Sequence, residues 1–522
     1  MRRDFSLLQD RRFDLLICGG GIYGAWTAYD AALRGLRVAI VEQADWASAT
    51  SSASSKLIHG GLRYLESFDF RLVKKALAER RRLLKNAPHR VWPLRFGVPV
   101  YANGRLGMTQ LKAGLVMYDL LAGWSGAELL HRRFDRRAFA QHFPLLQTAG
   151  LNGGYTYADA QTDDARLVLE LIDGAMQAGA VCVNYCKLSE LLEADGTACG
   201  ATIQDQLSSH CVQVSASQIV YATGQWLTTS GLSQDCRLTK GIHLVMPQAL
   251  GDEALLLTGP ADGRVFFMIP WYGVTLVGTT DTDYRGNIDN VTVEPADVEY
   301  LLSAANHYLK KDWTATDIIG SYAGLRVLKR GEHTAAAGPS AVSRDWTLKT
   351  SGNGVHYSIG GKITSAREDA ASIVDTVCAQ LGSTVPCATR DKYFPWAPQQ
   401  DYASWLSTAG AQGARLGIDR ESMQWLLRRH GKRVNEIFRS IETDAALAAR
   451  ILPALPFIRA DLIYSARHEM VVHLSDLLRR RMPLSILARL TESDVRNIAE
   501  IAAPALDWDD AAVHREVAAC RL

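Results

Sequence analysis

The chain has 522 residues, of which 48% are hydrophobic and 21% are charged, and its formal net charge is +2. This composition predicts a soluble globular protein of two or three domains, and the charge is too small for nucleic acid to be the main partner. The 9 cysteines show no spacing of Cys and His typical of a metal site, so we expect no metal and a reducing compartment. We also expect a cytoplasmic protein, because the N-terminus lacks the features of a signal peptide and no apolar run is long enough to span a bilayer.

The first predicted unit, residues 13–43, consists of a strand, a glycine-rich turn, a helix and a second strand. Gly19, Gly21 and Gly24 form the pattern G-x-G-x-x-G. In this pattern glycine permits a tight turn, the close approach of a pyrophosphate and tight packing of helix on strand. Glu42 ends the second strand, where an acid can accept hydrogen bonds from adenosine ribose hydroxyls. The unit therefore predicts a dinucleotide-binding domain.

Two later segments favour FAD over NAD as the dinucleotide. Ala222, Thr223 and Gly224 follow a predicted strand, and 360–362 (Gly-Gly-Lys) lies between a strand and a helix. A glycine pair before a helix offers free N–H groups and a positive dipole end, which suit the electron-rich end of a reduced flavin. Because the chain has no second G-x-G-x-x-G, we expect one bound FAD and no bound NAD. An NAD-dependent Rossmann dehydrogenase is the alternative.

Two predicted β-hairpins suggest a second sheet. RVFFMIPWYGVTLVGTTD gives two apolar strands that turn at Tyr272-Gly273, and WTLKTSGNGVHYSI gives two that turn at residues 352–354. We expect both hairpins to join a mainly antiparallel sheet that covers the substrate side of the flavin. Residues 384–400 contain three prolines and no clear period, which predicts a linker, and the chain after it has helical periodicity.

The motifs together resemble the FAD-dependent glycerol-3-phosphate dehydrogenases of the aerobic type. The resemblance covers roughly residues 12–370 and extends more faintly into the C-terminal helices. It is carried by TSSASSKLIHGGLRYLE, GGYTYADAQTDDARLVLE, VYATGQW, KGIHLVMP, FFMIPWYGVTLVGTTDTDY and IGGKIT.

The resemblance implies an α/β multidomain fold. A glutathione-reductase-type, FAD-binding Rossmann domain would carry an inserted substrate domain with a mixed or antiparallel β-sheet, followed by a C-terminal helical domain. The FAD-dependent oxidoreductase region would span residues 12–390. Within it the FAD-binding segments would be about 12–75, 155–235 and 350–383, and the substrate segments about 76–154 and 236–349. The linker would be 384–400 and the helical domain 401–522.

The same resemblance assigns the cofactor contacts. Short hydroxyls at Thr50, Ser51 and Ser54 would face the flavin phosphates and the ribityl chain. Lys56 and Leu57 would run beneath the isoalloxazine ring, and a glycine pair would let the backbone pass close to it. The full predicted set is Gly19, Gly21, Ile22, Gly24, Glu42, Thr50, Ser51, Ser54, Lys56, Leu57, Gly60, Gly61, Ala222, Thr223, Gly224, Gly361, Lys362, Ile363 and Thr364.

The implied reaction is oxidation of sn-glycerol 3-phosphate to dihydroxyacetone phosphate, with hydride transfer to flavin N5 and electrons passed to a quinone. A phosphorylated polyol needs cations for its phosphate and a base for its hydroxyl. The predicted catalytic residues are His59, His243 and Arg326, and either histidine could be the base. The predicted substrate ligands are Arg63, Tyr64, Arg326, Arg344 and Lys362. Asp281 could line the pocket or cap a turn, and we expect the structural role.

Several residues depart from the family pattern. Val327 follows Arg326 where proline is usual, and Ile242 stands where a small polar residue is typical. The helix after GGKIT is acidic, which makes it a poor ligand for anionic lipid. Peripheral contact with the cytoplasmic face of the inner membrane therefore stays open, as does a homodimer. The apolar segment 111–124 could touch lipid or pack inside the protein.

These departures leave other functions open. A paralogue could act on another phosphorylated or phosphonylated alcohol, and an oxidase could pass the same electrons to oxygen. A non-catalytic flavoprotein is a further alternative, which the predicted phosphate-binding cations argue against.

Overall fold

The structure is a computed structural model of the chain. It describes residues 1–66, 68–123, 126, 128–230, 232–330, 345–399 and 401–520. Arg344, one of the predicted substrate ligands, lies outside the described residues.

The strands alternate between two sheets along the chain. They are β1 (Arg12–Cys18), β2 (Val38–Val41), β3 (Leu57–Ile58), β4 (Val91–Tyr101), β5 (Arg132–Asp135), β6 (Leu151–Thr162), β7 (Val181–Val183), β8 (Cys186–Ala194), β9 (Thr197–Asp205), β10 (Cys211–Tyr221), β11 (Cys236–Met246), β12 (Ala254–Thr258), β13 (Val265–Trp271), β14 (Val274–Gly278), β15 (Thr282–Asp283), β16 (Gly320–Lys329), β17 (Thr347–Thr350) and β18 (His356–Ile359).

The helices up to residue 380 pack on the two sheets, and the later helices form the C-terminal part. They are α1 (Ile22–Leu33), α2 (Phe70–Asn86), α3 (Met108–Leu121), α4 (Arg136–His142), α5 (Asp164–Gln177), α6 (Pro295–Asn306), α7 (Ala366–Gln380), α8 (Tyr402–Arg415), α9 (Arg420–His430), α10 (Val434–Thr443), α11 (Arg459–His468), α12 (Leu474–Asp476), α13 (Leu484–Leu487), α14 (Glu492–Leu506) and α15 (Asp510–Ala519).

The first sheet is the predicted Rossmann-type sheet. Its strand order is β17-β18-β10-β1-β2-β7, and β1 pairs in parallel with both β2 and β10. All four residues of β2, Val-Ala-Ile-Val, are buried, as expected for a parallel strand covered on both faces. Helix α1 contacts both α5 and α7, so small and apolar residues of the three helices cover one face of the sheet.

The second sheet is mainly antiparallel and has the order β15-β11-β14-β13-β12-β4-β6-β3, with β16 on β11 and β5 on β6. The hairpin predicted at Tyr272-Gly273 is confirmed, because β13 and β14 pair on either side of it. The hairpin predicted at residues 352–354 also forms, but it belongs to the first sheet. Its strand β18 pairs in parallel with β10, so the prediction that it joins the second sheet was wrong.

The sheet assignment also shifts one predicted boundary. Strand β6 pairs with β4 along its length and with β5 and β3. Residues 151–162 therefore belong to the second sheet, although the FAD-binding segment was predicted to begin at about residue 155. Helix α5 begins at Asp164 and returns the chain to the first sheet.

Residues 384–399, the described part of the predicted linker, contain no regular helix or strand, yet they pack against the helices of the first sheet. Phe394 and Trp396 are buried, and the indole N–H of Trp396 donates to Asp173 on α5 at 2.6 Å. Within the described ranges, no helix combines the length and the apolar character that crossing a membrane requires.

Candidate active site

A cavity of about 760 Å³ lies where the carboxyl ends of β1, β2 and β10 meet the second sheet. The first sheet supplies glycine-rich turns to its wall, and the second sheet supplies charged and aromatic side chains. Ligands of open α/β sheets bind outside the carboxyl ends of the strands. The cavity is therefore the candidate site for both cofactor and substrate.

The first glycine-rich turn has the geometry of a dinucleotide cradle. Gly19 has a φ of +111°, a conformation that favours glycine. A Cβ at Gly24 would overlap the carbonyl oxygen of Gly19, so Gly24 lets α1 pack on β1 and does not itself line the cavity. The backbone N–H of Ile22 donates to Ser51 Oγ at 2.9 Å. Gly21, Ile22 and Ser51 all line the cavity.

Glu42 lies at the cavity wall and fixes the turn from behind. Its carboxylate accepts the backbone N–H of Gly20 at 2.6 Å and that of Ala44 at 3.0 Å. Burial raises the pKa of Glu42 above its ordinary value. The carboxylate retains lone pairs for ribose hydroxyls, since each oxygen can accept two hydrogen bonds.

The hydroxyl-rich segment after β2 meets the cavity only in part. Thr50, Ser51, Ser54 and Leu57 line it. The hydroxyl of Ser54, however, donates to Asp164 at 2.7 Å, and the hydroxyl of Thr50 donates to the carbonyl oxygen of Leu325 at 2.6 Å. These two hydroxyls therefore hold the segment in place, whereas they were predicted to face the flavin phosphates and ribityl chain.

Lys56 was predicted to run beneath the isoalloxazine ring, and the structure corrects this. Its side chain is buried away from the cavity, where Nζ lies 2.6 Å from Asp164 Oδ1 and donates to the carbonyl oxygen of Ser52 at 2.8 Å. A buried ammonium requires such a partner. Lys56 therefore anchors the segment to the start of α5 and does not touch the cavity.

The glycine pair divides between two roles. Gly60 lies behind the cavity wall, where its N–H donates to Asp159 and to Tyr118 Oη. Gly61 has a φ of +75° and lines the cavity. Of the two glycines predicted to pass the ring, only Gly61 therefore lies at the cavity wall.

The second glycine pair is held by a tyrosine from α1. Tyr23 Oη accepts the N–H of Lys362 at 3.0 Å and donates to Asp369 at 2.8 Å. A Cβ at Gly361 would overlap the Tyr23 hydroxyl, so only glycine fits there. Gly361, Lys362 and Ile363 line the cavity. Thr364 does not, and its hydroxyl instead accepts the N–H of His59 at 3.2 Å.

Ala222, Thr223 and Gly224 line the cavity at the end of β10. The hydroxyl of Thr223 is buried and has no hydrogen-bond partner among the described residues. An unpaired buried hydroxyl is costly unless a ligand satisfies it. Together with the close backbone approach at Gly19 and Gly361, it fits a bound dinucleotide.

The substrate side of the cavity carries several cations. Arg326 on β16 donates to Thr279 Oγ1 at 2.8 Å and lies 3.3 Å from Asp281. Lys362 Nζ lies 3.9 Å from the centre of the Tyr64 ring, and the guanidinium carbon of Arg63 lies 5.6 Å from it. All four predicted substrate ligands within the described residues, Arg63, Tyr64, Arg326 and Lys362, line the cavity.

Both predicted histidines also line the cavity. His243 on β11 is buried, its Nε2 lies 2.9 Å from Ser55 Oγ, and its ring stacks on Tyr322. Burial, followed by the charges of Arg326 and Lys56, lowers the pKa of His243 well below 6.5. His243 is therefore neutral near pH 7. The ring of His59 lies 6.3 Å from that of Phe267, centre to centre.

Some residues at the wall were not predicted. Ser55 lies in the segment TSSASSKLIHGGLRYLE, but nothing in the sequence indicates its contact with His243. Arg264 donates to the carbonyl oxygen of Asp281 at 2.7 Å, and Asp281, expected to be structural, lines the cavity as well. Phe267 lies on β13 and Arg264 comes directly before that strand. The apolar run of β13 predicts a buried strand, but it does not say which cavity the strand meets.

A Rossmann-type sheet with a dinucleotide cradle, opening onto a cavity with cations and neutral imidazole, defines a dinucleotide-dependent oxidoreductase. The chain matches the family of FAD dependent oxidoreductases over residues 14–367. Residues 393–513 match the C-terminal domain of alpha-glycerophosphate oxidase. FAD is therefore its cofactor.

Similar proteins narrow the family further. A glycerol-3-phosphate dehydrogenase from Synechocystis is 34% identical over 93% of this chain and 91% of its own length. The aerobic glycerol-3-phosphate dehydrogenase of Bacillus subtilis is 36% identical over 92% of this chain and 89% of its own length. The structure of the glycerol-3-phosphate dehydrogenase from Bacillus halodurans, complexed with FAD, superposes on this chain with a TM-score of 0.79. The two are 28% identical, and the match covers 98% of this chain and 95% of that one. The chain belongs to the family of FAD-dependent glycerol-3-phosphate dehydrogenases.

Proposed function

We propose that the protein oxidises sn-glycerol 3-phosphate to dihydroxyacetone phosphate. The observation that carries this proposal is the cavity itself. The cations of Arg63, Arg326 and Lys362 line the same cavity as the dinucleotide cradle. The imidazoles of His59 and His243 line it as well. The names of the relatives support the same substrate.

The residues divide the work of the reaction between them. Arg326 presents a guanidinium, which binds a phosphate through paired hydrogen bonds better than a lysine does. Lys362 and Arg63, which both lie close to the Tyr64 ring, add positive charge at the same cavity. One of the two imidazoles accepts the proton of the secondary hydroxyl. FAD, held by the two glycine turns and Glu42, supplies the acceptor for a hydride at N5 when it is bound.

For the onward electron acceptor we propose a quinone, reached through peripheral contact with a membrane. The exposed surface of α2 and α3 supports this contact. Phe68 is 77% exposed and Phe70, Met117 and Leu120 are exposed as well. The two helices lie side by side, because Arg81 donates to the carbonyl oxygen of Ala122 at 2.6 Å.

Exposed basic side chains lie on the same two helices as these apolar residues, and we call the surface they form the α2–α3 patch. Arg71 and Lys74 on α2 and Lys112 on α3 are exposed. Exposed apolar groups together with cations favour the surface of an anionic bilayer. Such docking would place the flavoprotein at the membrane, where a quinone is dissolved.

An anaerobic experiment tests the substrate. Purified holoenzyme is mixed with sn-glycerol 3-phosphate while the flavin band near ~450 nm, which the cofactor itself determines, is followed. We expect rapid bleaching that is absent with glycerol and with the other enantiomer. A flavoprotein that stays yellow would reject this substrate and direct the search to other phosphorylated or phosphonylated alcohols.

A second experiment separates the acceptors. The reduced enzyme is mixed with a short-chain quinone or with oxygen, and the return of the flavin band is timed. We expect fast return with quinone and little hydrogen peroxide with oxygen. Stoichiometric peroxide at a comparable rate would replace the dehydrogenase with an oxidase.

A further inference from the structure

The loop after β2, residues 42–48, supports the glycine-rich turn from behind. Glu42 accepts the N–H of Gly20, as described above, and Ala47 donates its N–H to the carbonyl oxygen of Gly20 at 3.0 Å. The ring of Trp46 packs on Gly20 so closely that a Cβ there would overlap it. The position of the turn that receives the dinucleotide therefore depends on the conformation of this loop.

The C-terminal helical domain holds the same loop. Asp45 is fully buried, its Oδ2 lies 2.5 Å from Arg480 Nε, and it is also bound by Arg481. The indole N–H of Trp46 points to Met470 Sδ at 3.2 Å. All these C-terminal partners lie within residues 470–481, next to helix α12.

Further hydrogen bonds fix the contact between Asp45 and the two arginines. Arg481 also donates to the carbonyl oxygen of Glu469 at 2.6 Å, and Asn184 donates to Asp45 at 3.1 Å. Although burial alone would raise it, the charges of Arg481 and Arg480 hold the pKa of Asp45 below its ordinary value. Removal of one partner from such a buried cluster leaves an uncompensated charge, which is strongly destabilising.

We propose that the C-terminal helical domain supports the cofactor site, and that Asp45 is the positioning residue that links the domain to this site. Asp45 does not line the cavity. It fixes the loop so that Glu42 and Gly20 are in place to receive FAD. Docking of the C-terminal domain and retention of FAD are then coupled, and the coupling is reciprocal. This inference goes beyond the proposed reaction and does not depend on its substrate.

The test compares Asp45→Asn with Glu79→Gln in the holoenzyme. Glu79 is a matched control, because it is a buried carboxylate bound by two arginines, Arg367 and Arg82, on helices away from the loop. FAD release is followed by the rise of free flavin fluorescence, at a temperature below the unfolding of either variant. We expect D45N to release FAD at least about fivefold faster, the lower end of ordinary coupling between sites. E79Q should stay within about twofold of wild type, as independent sites do.

A second readout separates positioning from general loss of stability. Because Asp45 does not touch the substrate, excess FAD should restore the turnover number of D45N to that of wild type. Arg481→Lys, which keeps the charge but not the paired hydrogen bonds, should release FAD at an intermediate rate. If D45N does not fold, Arg480→Gln, at the edge of the cluster, takes its place in the comparison.

The proposal is overturned by either of two results. One is that D45N or R480Q retains FAD as tightly as wild type. The other is that E79Q loses FAD as fast as D45N, which would mean that any buried charge has the same effect.

Discussion

The hydroxyl of Ser55 lies 2.9 Å from Nε2 of His243, so a serine of the segment 50–66 holds an imidazole of the second sheet at the cavity wall. We expect Ser55→Ala to slow anaerobic flavin reduction about tenfold, because a buried ring nitrogen that loses its partner costs about 1–3 kcal/mol. FAD content should not change. Ser189→Ala, on the exposed hairpin of β8, is the control. An unchanged rate in S55A would remove the serine from the reaction.

Arg326 should bind substrate more than it stabilises the protein. Loss of one charged hydrogen-bonding group costs about 1.5–3 kcal/mol. We therefore expect Arg326→Gln to lower kcat/KM by roughly 10- to 150-fold, mostly through KM, with the flavin spectrum retained. Arg237→Gln is the matched control, because Arg237 lies on the adjacent strand β11 and pairs with exposed Asp283 outside the cavity. Equal losses in the two variants would argue against a phosphate-binding role.

Two glycine substitutions should have opposite effects. Gly24→Ala places a Cβ against the carbonyl oxygen of Gly19, so we expect a protein that purifies without FAD or does not fold. Gly114→Ala, on α3 with open space around the new Cβ, should be neutral or stabilise by up to ~1 kcal/mol. Flavin absorbance per protein and the thermal midpoint measure both effects. A yellow, fully loaded G24A would contradict the close helix–strand packing.

The protein should become less stable as the pH is lowered from about 6.5. Burial lowers the pKa of His430 to about 4, whereas an unfolded histidine titrates near ~6.5. Between these values the unfolded chain binds a proton that the folded chain does not. The free energy of unfolding therefore decreases as pH falls, by about 1.4 kcal/mol per pH unit for this residue, until the folded state takes its own proton.

His89 and His243 add to the same trend, because burial lowers the pKa of each. Thermal midpoints between pH 7.5 and 4.5 measure it. In His430→Gln the slope should be shallower than in wild type over this range. A midpoint that rises as the pH falls from 6.5 would show that the sign is wrong.

The α2–α3 patch gives a prediction about membranes. Leu120→Glu should weaken binding to vesicles that contain anionic phosphatidylglycerol about tenfold or more, since insertion of one leucine contributes roughly 1.5–3 kcal/mol. Leu207→Glu is the matched control, because Leu120 is 48% exposed and Leu207 is 45% exposed, on a different part of the surface. Flavin reduction by substrate should be unchanged in both. Equal binding by the two variants would reject this patch.

The parts of the fold that local chemistry dictates were predictable. The strand, glycine turn and acid of residues 13–43 predicted the cradle, and the hairpin of β13 and β14 followed from two apolar runs around Tyr272-Gly273. The other hairpin was found, but its sheet was not. Its partner β10 lies more than a hundred residues away, and the apolar pattern of a strand does not name its neighbour.

The same limit applies to the site. Arg326, Lys362 and both histidines were placed at the cavity from their motifs. Lys56 lies in the same motif as His59, but its side chain pairs with Asp164 and faces away from the cavity. Lys56 has a φ of +60°, so it lies in a left-handed bend before β3, where the alternation of an extended strand does not fix the direction of its side chain. The residue order showed a lysine beside a leucine, and only the position of helix α5 decided which of them meets the flavin pocket.

The path of the chain between the two sheets has a consequence for how such enzymes diversify. The chain passes from one sheet to the other after β2, β6, β10 and β16. Neither sheet is a continuous stretch of sequence, so no single cut separates them and no single insertion could have added one to the other intact. A new substrate preference is therefore more readily acquired by exchange of side chains on β11, β13 and β16 than by transplanting a module.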